Sequence, residues 1–310
     1  MTPTITASGV RRSFGDVPAV RDVDLHVAAG RVTGLVGPNG SGKTTLMLML
    51  SSLLAPDAGE IRIGDVDPIA DPAAARRVLG WMPDALGAWG SLSARETLVV
   101  TGRLYDLPRA AARDRADELL RLVDLAPLAA APARVLSRGQ KQRLGLARAL
   151  VHDPRVLLLD EPASGLDPQA RVALRVLLRR LAGEGRTVLI SSHVLSELEE
   201  VVDDAVFMVA GATVSAERVA AASQRRRAWR VRLADAAAGA SVAAVAAALS
   251  REPGSLATDR TGVLVGFASD TEAAAALGAL VRAGLAVVEF APATGDLEHT
   301  FLDLRDGSAS

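Results

Sequence analysis

The stretch Gly37-Pro38-Asn39-Gly40-Ser41-Gly42-Lys43-Thr44-Thr45 constrains this chain more than any other, because it meets the pattern G-x-x-x-x-G-K-[ST] without a mismatch. The residues before it, Arg31 to Val36, read as a short buried strand, and those after it, Leu46 to Leu50, as an apolar helix. A strand, a glycine-rich loop and a helix in that order define an α/β fold with a phosphate site at the loop. Glycines let the backbone fold around an anion with its N–H groups turned inward; the helix N-terminus adds partial positive charge and Lys43 a full one. Thr44 is placed to offer its hydroxyl to Mg²⁺. Lys43 and Lys141 are the only lysines, so a lysine here is not a product of composition.

A chain of 310 residues with 49% hydrophobic content has room for one large domain and a smaller one. Much of the apolar fraction is alanine, and the longest alanine-rich run, Ala236 to Leu249, is too short to span a bilayer. No direct membrane insertion is expected. The N-terminus lacks a basic region followed by an apolar one, and zero cysteines exclude disulfides and thiolate chemistry, which together read as a cytoplasmic protein. With 35 basic and 36 acidic residues, no global field recruits nucleic acid or an anionic lipid surface. Any membrane role then runs through a protein partner.

Thr4 to Ser13 and Asp22 to Val27 alternate apolar and polar residues, predicting antiparallel strands joined by a turn at Gly15-Asp16. Phe14 stands just before that turn, either stacked on a base or as one more core aromatic. Glu60 to Ile63 reads as a strand, Pro72 to Val78 as a helix and Leu79 to Met82 as a strand. From Pro83 to about Val151 the pattern is helical, with capping-box spacing at Ser93 and Glu96 and a helix from Arg109 to Val123. Trp89 is either an exposed partner-binding aromatic or one folded back on this region. Ser137 and Gln140, within Leu136-Ser137-Arg138-Gly139-Gln140, repeat the capping-box spacing and open a helix to Leu150 whose N-terminus is a second anion site. Val156 to Asp160 is a buried strand that ends in Asp160 and Glu161, two carboxylates that an apolar core tolerates only with a cation or a task. Asp160 suits the Mg²⁺ shell and Glu161 suits polarising a water. Gln169 to Leu181 reads as a helix and Thr187 to Ser191 as another buried strand, with His193 just beyond its end, where α/β ligand sites gather.

Residues 1–214 thus resemble the nucleotide-binding subunit of an ATP-binding-cassette (ABC) transporter: phosphate loop 37–45, signature 136–140, acidic strand 156–161, loop 164–167 and switch histidine His193, in that order. The resemblance implies a P-loop cassette with a mixed sheet core, an antiparallel β subdomain and an inserted α-helical subdomain at about 84–151. It implies an ATPase that binds ATP and Mg²⁺ in a head-to-tail homodimer or heterodimer, with ATP between the phosphate loop of one subunit and the signature helix of the other. On that pattern Ser137 and Gly139 touch the γ-phosphate, Phe14 stacks on adenine, Glu161 is the general base and His193 holds the γ-phosphate. Arg138 stands where many members have Gly, adding charge near the shared phosphate. Asp84 stands where most have Gln or Glu, the family's Mg²⁺ contact and its hinge toward the membrane subunit. Thr44, Asp84 and Asp160 are the metal set.

Residues 215–228, with Arg225-Arg226-Arg227 as a solvated basic face, read as a connecting helix and linker; 229–304 read as strands and helices in the order βαββαβ, a ferredoxin-like α+β domain, and 305–310 as a tail. The ending from Val288 to Leu302 is similar to the tail of cassette subunits that serve exporters with a separately encoded permease. The resemblance therefore implies transport, with a lean to export, at the inner face of the plasma membrane. Two alternatives stand beside it. One is a cassette ATPase of translation or DNA repair, disfavoured by a single cassette without heptads; the other is a regulatory nucleotide-binding module, disfavoured by intact Lys43, Glu161 and His193.

Overall fold

A computed structural model describes residues 4–306 apart from 86, 88, 89, 224, 225 and 235–237. The chain divides into two compact units, Met1–Val214 and Ser215–Ser310. Elements of the first unit, in chain order, are β1 (Ile5–Phe14), β2 (Val17–Val27), β3 (Val32–Val36), α1 (Lys43–Leu50), β4 (Ala58–Ile63), α2 (Pro72–Val78) and β5 (Leu79–Met82). Then come α3 (Ala94–Leu104), α4 (Arg109–Leu122), α5 (Arg138–Ala149), β6 (Val156–Asp160), α6 (Pro168–Gly183), β7 (Thr187–Ser192), α7 (Leu195–Glu199), β8 (Asp204–Val209) and β9 (Ala212–Thr213).

The strands form one sheet in the order β4-β1-β2-β9-β8-β3-β7-β6-β5. Strands β2 and β4 pair antiparallel with β1 on either side, while β8, β3, β7, β6 and β5 are parallel. Residues of β3, β6 and β7 are buried at every position, which is why those stretches read as unbroken apolar runs rather than alternating ones. Helix α1 closes over them: Leu46, Met47, Met49 and Leu50 join Leu35, Leu158 and Leu189 in one core. Because β7 lies between β3 and β6, the loops leaving all three strands emerge side by side at one sheet edge. That edge carries the phosphate loop, Glu161 and His193.

Between β5 and β6 the described chain is helical. Ser93 caps α3 and Ser137 caps α5, each in a full capping box with Glu96 and Gln140 respectively. Trp89 lies outside the described residues. Among the described residues, no helix is long and apolar enough to cross a membrane.

The second unit contains α8 (Ala216–Ser223), β10 (Arg227–Leu233), α9 (Ala238–Ala248), β11 (Ala257–Thr258), β12 (Val263–Phe267), α10 (Asp270–Arg282), β13 (Val287–Pro292) and α11 (Asp296–Asp306). Its sheet has the order β11-β12-β10-β13, antiparallel throughout, around Val231, Val265, Phe267 and Leu280. Trp229 meets the Phe290 ring at 5.0 Å between centroids.

Several sequence expectations shift. Strand β2 starts at Val17, because Phe14 and Val17 are paired directly across the tight turn. Strands β8 and β9 and helix α11 were not anticipated from the sequence, and β8 takes the place beside β3 that completes the parallel sheet. Arg227 is not part of a solvated basic face: it opens β10 opposite Phe267 and its guanidinium bonds Asp296 and the carbonyl of Thr294.

Candidate active site

The phosphate loop spans the gap from β3 to α1, and its backbone is fixed by shape. Gly42 has φ +97°, and a Cβ there would meet the carbonyl oxygen of Ala19 at 2.4 Å. Gly40 has φ +80° but faces open space, with nothing within 4 Å of an added Cβ. The loop is therefore packed from below and clear above, a cradle with room for an anion. Gly37 and Ser41 are buried, whereas Asn39 and Gly40 form the exposed rim.

Lys43 points back into this cradle. Its Nζ donates to the carbonyls of Gly37 at 2.8 Å and Pro38 at 3.1 Å, and the residue is only 6% exposed. Burial pushes its pKa below the ordinary lysine range, opposed by the negative charges of Glu161 and Asp160. Thr44 Oγ1 donates to Asp160 Oδ2 at 2.9 Å, and Ser191 Oγ donates to the other oxygen, Oδ1. Asp160 is 1% exposed, so β7 supplies the polar partner that β6's carboxylate needs.

Glu161, the next residue, leaves the strand with φ +49°, a left-handed conformation uncommon for a side chain of this size. Its amide donates to the carbonyl of Ser191 at 3.2 Å and to Ser191 Oγ at 3.1 Å, and its carbonyl accepts from Gln142 Nε2 at 2.9 Å. Held at both backbone groups, the residue keeps a conformation that costs about 1–3 kcal/mol at such sites. Its carboxylate meets His193 Nδ1 at 2.9 Å through Oε1 and Ser192 Oγ at 3.4 Å through Oε2. The imidazole is half exposed while the carboxylate is mostly buried.

Other expected residues fall in two groups. Phe14 is 51% exposed at the end of β1, with the Arg12 guanidinium 5.2 Å from its ring centroid, which excludes the core-aromatic alternative. Asp84 is exposed two residues past the end of β5, where Met82 pairs with Leu159, so it stands at the same sheet edge as Asp160. Ser137 is exposed at the start of α5. Its Oγ accepts from the Gln140 amide at 3.2 Å and Gln140 Oε1 accepts from the Ser137 amide at 2.9 Å, so the capping box uses Gln140 internally and leaves the first-turn amides of Arg138 and Gly139. Among the described residues, no hydrogen bond joins 137–140 to the phosphate loop within the chain. Arg138 does not stand free: its Nη2 donates to Ser164 Oγ at 2.6 Å.

A family model described as ABC transporter matches residues 20–164. The daunorubicin resistance ATP-binding protein DrrA3 of Streptomyces coeruleorubidus is 40% identical over 211 residues, covering 68% of this chain and 67% of that protein. The chain belongs to the ABC transporter family. Its first unit is an ABC cassette, an ATPase built on the P-loop α/β fold. The Nod factor export ATP-binding protein I of Ralstonia nicotianae is 38% identical over 204 residues, 66% of this chain and 63% of that protein. A solved ATP-binding cassette, a dimer in a post-hydrolysis state bound to ADP and Pi, is 25% identical over 68% of this chain and 97% of that one, with a TM-score of 0.63.

Sequence reading missed Ser191, Gln142 and the Arg138–Ser164 bond. Ser191-Ser192-His193 did carry a signal, three polar residues at the end of an apolar strand. Gln142, 4% exposed on the buried side of α5, is a polar residue on a core face and so needed a partner.

Proposed function

We propose that this ABC cassette is the ATP-hydrolysing subunit of an exporter, closing head to tail with a second cassette around two ATP molecules and driving a separate permease. The observation that carries the reading is the convergence of Lys43, the Thr44–Asp160 pair and the Glu161–His193 pair on one sheet edge. Lys43 and the loop amides 37–45 bind the phosphates, and exposed Phe14 stacks on the adenine. The amides of Arg138 and Gly139, with Ser137, meet the γ-phosphate of the partner's ATP. Glu161 Oε1 takes a proton from the attacking water, and His193 orients that carboxylate and contacts the γ-phosphate. Dimerisation is supported by the similar cassette solved as a dimer with ADP and Pi, and export by relatives named for drug resistance and Nod factor export. The strand order β11-β12-β10-β13 of the second unit supports the ferredoxin-like reading, and we assign that unit a regulatory or dimer-contact role rather than chemistry.

The donor set fits Mg²⁺: hard oxygens of Thr44 and Asp160 meet at 2.9 Å beside the cradle, and Asp84 stands at the same edge. When bound there, Mg²⁺ neutralises charge on the phosphate oxygens. Asp84 is one methylene shorter than Glu and would hold the ion's hydration shell rather than the ion itself. Asp84→Asn is expected to raise the Mg²⁺ concentration for half-maximal ATPase activity about threefold or more, consistent with losing one charge from a partly hydrated cation site. A magnesium titration checks this, and an unchanged requirement in both Asp84→Asn and Asp84→Ala would leave transmission to the permease as the residue's task.

The exporter reading is tested by tagging the full chain and solubilising membranes. An integral membrane polypeptide should co-purify, and its cargo should raise ATP turnover of the pair in vesicles. Recovery only with ribosomes or with DNA-repair proteins would overturn it.

A further inference from the structure

Helix α6 carries Arg171, Arg175 and Arg179 at a spacing of four, which aligns them along one face. Each meets an acid on residues 195–203, the segment that follows His193. Arg171 Nη1 lies 3.0 Å from Glu197 Oε1, Arg175 pairs with Glu200, and Arg179 pairs with Asp203. The last rung is anchored further, since Asp203 Oδ2 accepts from the Val32 amide of β3 at 2.9 Å. An open cleft of about 320 Å³ lies along the rungs, lined by Arg171, Arg175, Glu197 and Glu200 together with Leu178 and Leu198. Leu178, Leu198 and Val201 are buried beside the cleft, so apolar burial holds the two elements and the partly exposed ion pairs set their register.

The topology gives this attachment a consequence. Helix α6 begins at Pro168, six residues after the loop that leaves Glu161 starts, and its N-terminus is fixed by Asp167, which accepts from the Ala170 amide at 2.9 Å. Segment 195–203 begins two residues after His193. The two sides of the ladder, α6 and segment 195–203, therefore follow the two members of the Glu161–His193 contact. We propose that Arg171, Arg175 and Arg179 are positioning residues that set His193 against Glu161, an inference that rests on the hydrolytic role given to that pair above. The arginines bond the acids of the following segment and act through where the imidazole is held.

The test uses the full chain. Arg171→Gln with Arg175→Gln is expected to lower kcat about tenfold, as displacement of a reacting group by a fraction of an ångström does, with KM for ATP unchanged within about twofold. Arg180→Gln, on the same helix but paired with Glu184 in the next turn, is the control and should keep the parent rate. Reversing one rung, Arg171→Glu with Glu197→Arg, should restore most of the turnover lost in Arg171→Glu alone. In a His193→Ala background the double Gln variant should cause no further loss. A further tenfold loss there, or no recovery on charge reversal, would overturn the proposal, as would a rise in KM together with a lowered melting temperature. If the double Gln variant fails to fold, the charge-reversed pair still decides. Failure of the parent chain to hydrolyse ATP would strike the hydrolytic reading itself, a separate result.

Discussion

Glu161→Gln is expected to lower ATP turnover by about 10²- to 10⁴-fold, the range that a positioned base supplies, while ATP binding persists. The substitution keeps the side-chain length and leaves the features of the phosphate cradle, Lys43 on Gly37 and Pro38 and Thr44 on Asp160, untouched. It also leaves the backbone of residue 161 held by Ser191 and Gln142, so the left-handed turn persists and the fold is not the casualty. What disappears is the basic oxygen opposite His193 Nδ1. With binding intact and hydrolysis stopped, the proposed head-to-tail dimer loses its main route back to monomers. Mg-ATP should therefore shift Glu161→Gln to a dimer on size-exclusion chromatography, while the parent returns to monomer as ATP is consumed. Parent-level turnover in the variant would remove Glu161 from the base's role. A variant that stays monomeric with saturating Mg-ATP would count against the head-to-tail arrangement.

The parts of this site that sequence displayed were those encoded by adjacent residues. Gly37 to Thr45 and Asp160-Glu161 are contiguous, and each carries a physical oddity, a glycine-rich bridge in one case and carboxylates at the end of a buried run in the other. Their mutual placement was not local. It follows from β7 lying between β3 and β6, an arrangement made by crossovers that no strand pattern announces. Ser191 reads as an ordinary strand-end serine until β6 and β7 pair Asp160 with it. Arg138 and Ser164 are separated by 26 residues, and the departure from Gly at 138 gains its meaning only when the guanidinium meets that hydroxyl. The arginines of α6 likewise look like a solvated helix face, because their acids lie about two dozen residues on. Long-range pairing, not weak propensity, set the limit.

Lys43→Met is expected to separate nucleotide binding from folding. In the parent, ATP at about 100 times its Kd adds about 2.7 kcal/mol to cassette stability, or roughly 5–10 °C in melting temperature for a domain of this size. Loss of the Nζ charge beside the phosphates removes about 3 kcal/mol of charge-assisted bonding, roughly a hundredfold in affinity, so at the same ATP concentration the variant should keep a shift of only about 1 °C. Without nucleotide the balance differs. The ammonium is desolvated and its pKa depressed, so the folded state binds that proton less readily than the unfolded state does, and its charge weakens the fold at neutral pH. The parent's stability contribution from this group accordingly rises as pH climbs from the depressed pKa toward the ordinary lysine value. Methionine relieves the desolvation but leaves the carbonyls of Gly37 and Pro38 without their donor. These effects oppose one another, so the nucleotide-free melting temperature should move by less than the parent's ATP shift, and the variant should lose the alkaline rise. Differential scanning fluorimetry at neutral and alkaline pH, with and without Mg-ATP, measures all of these. An ATP-induced rise of parent size in Lys43→Met would mean that the cradle binds phosphate through its amides alone.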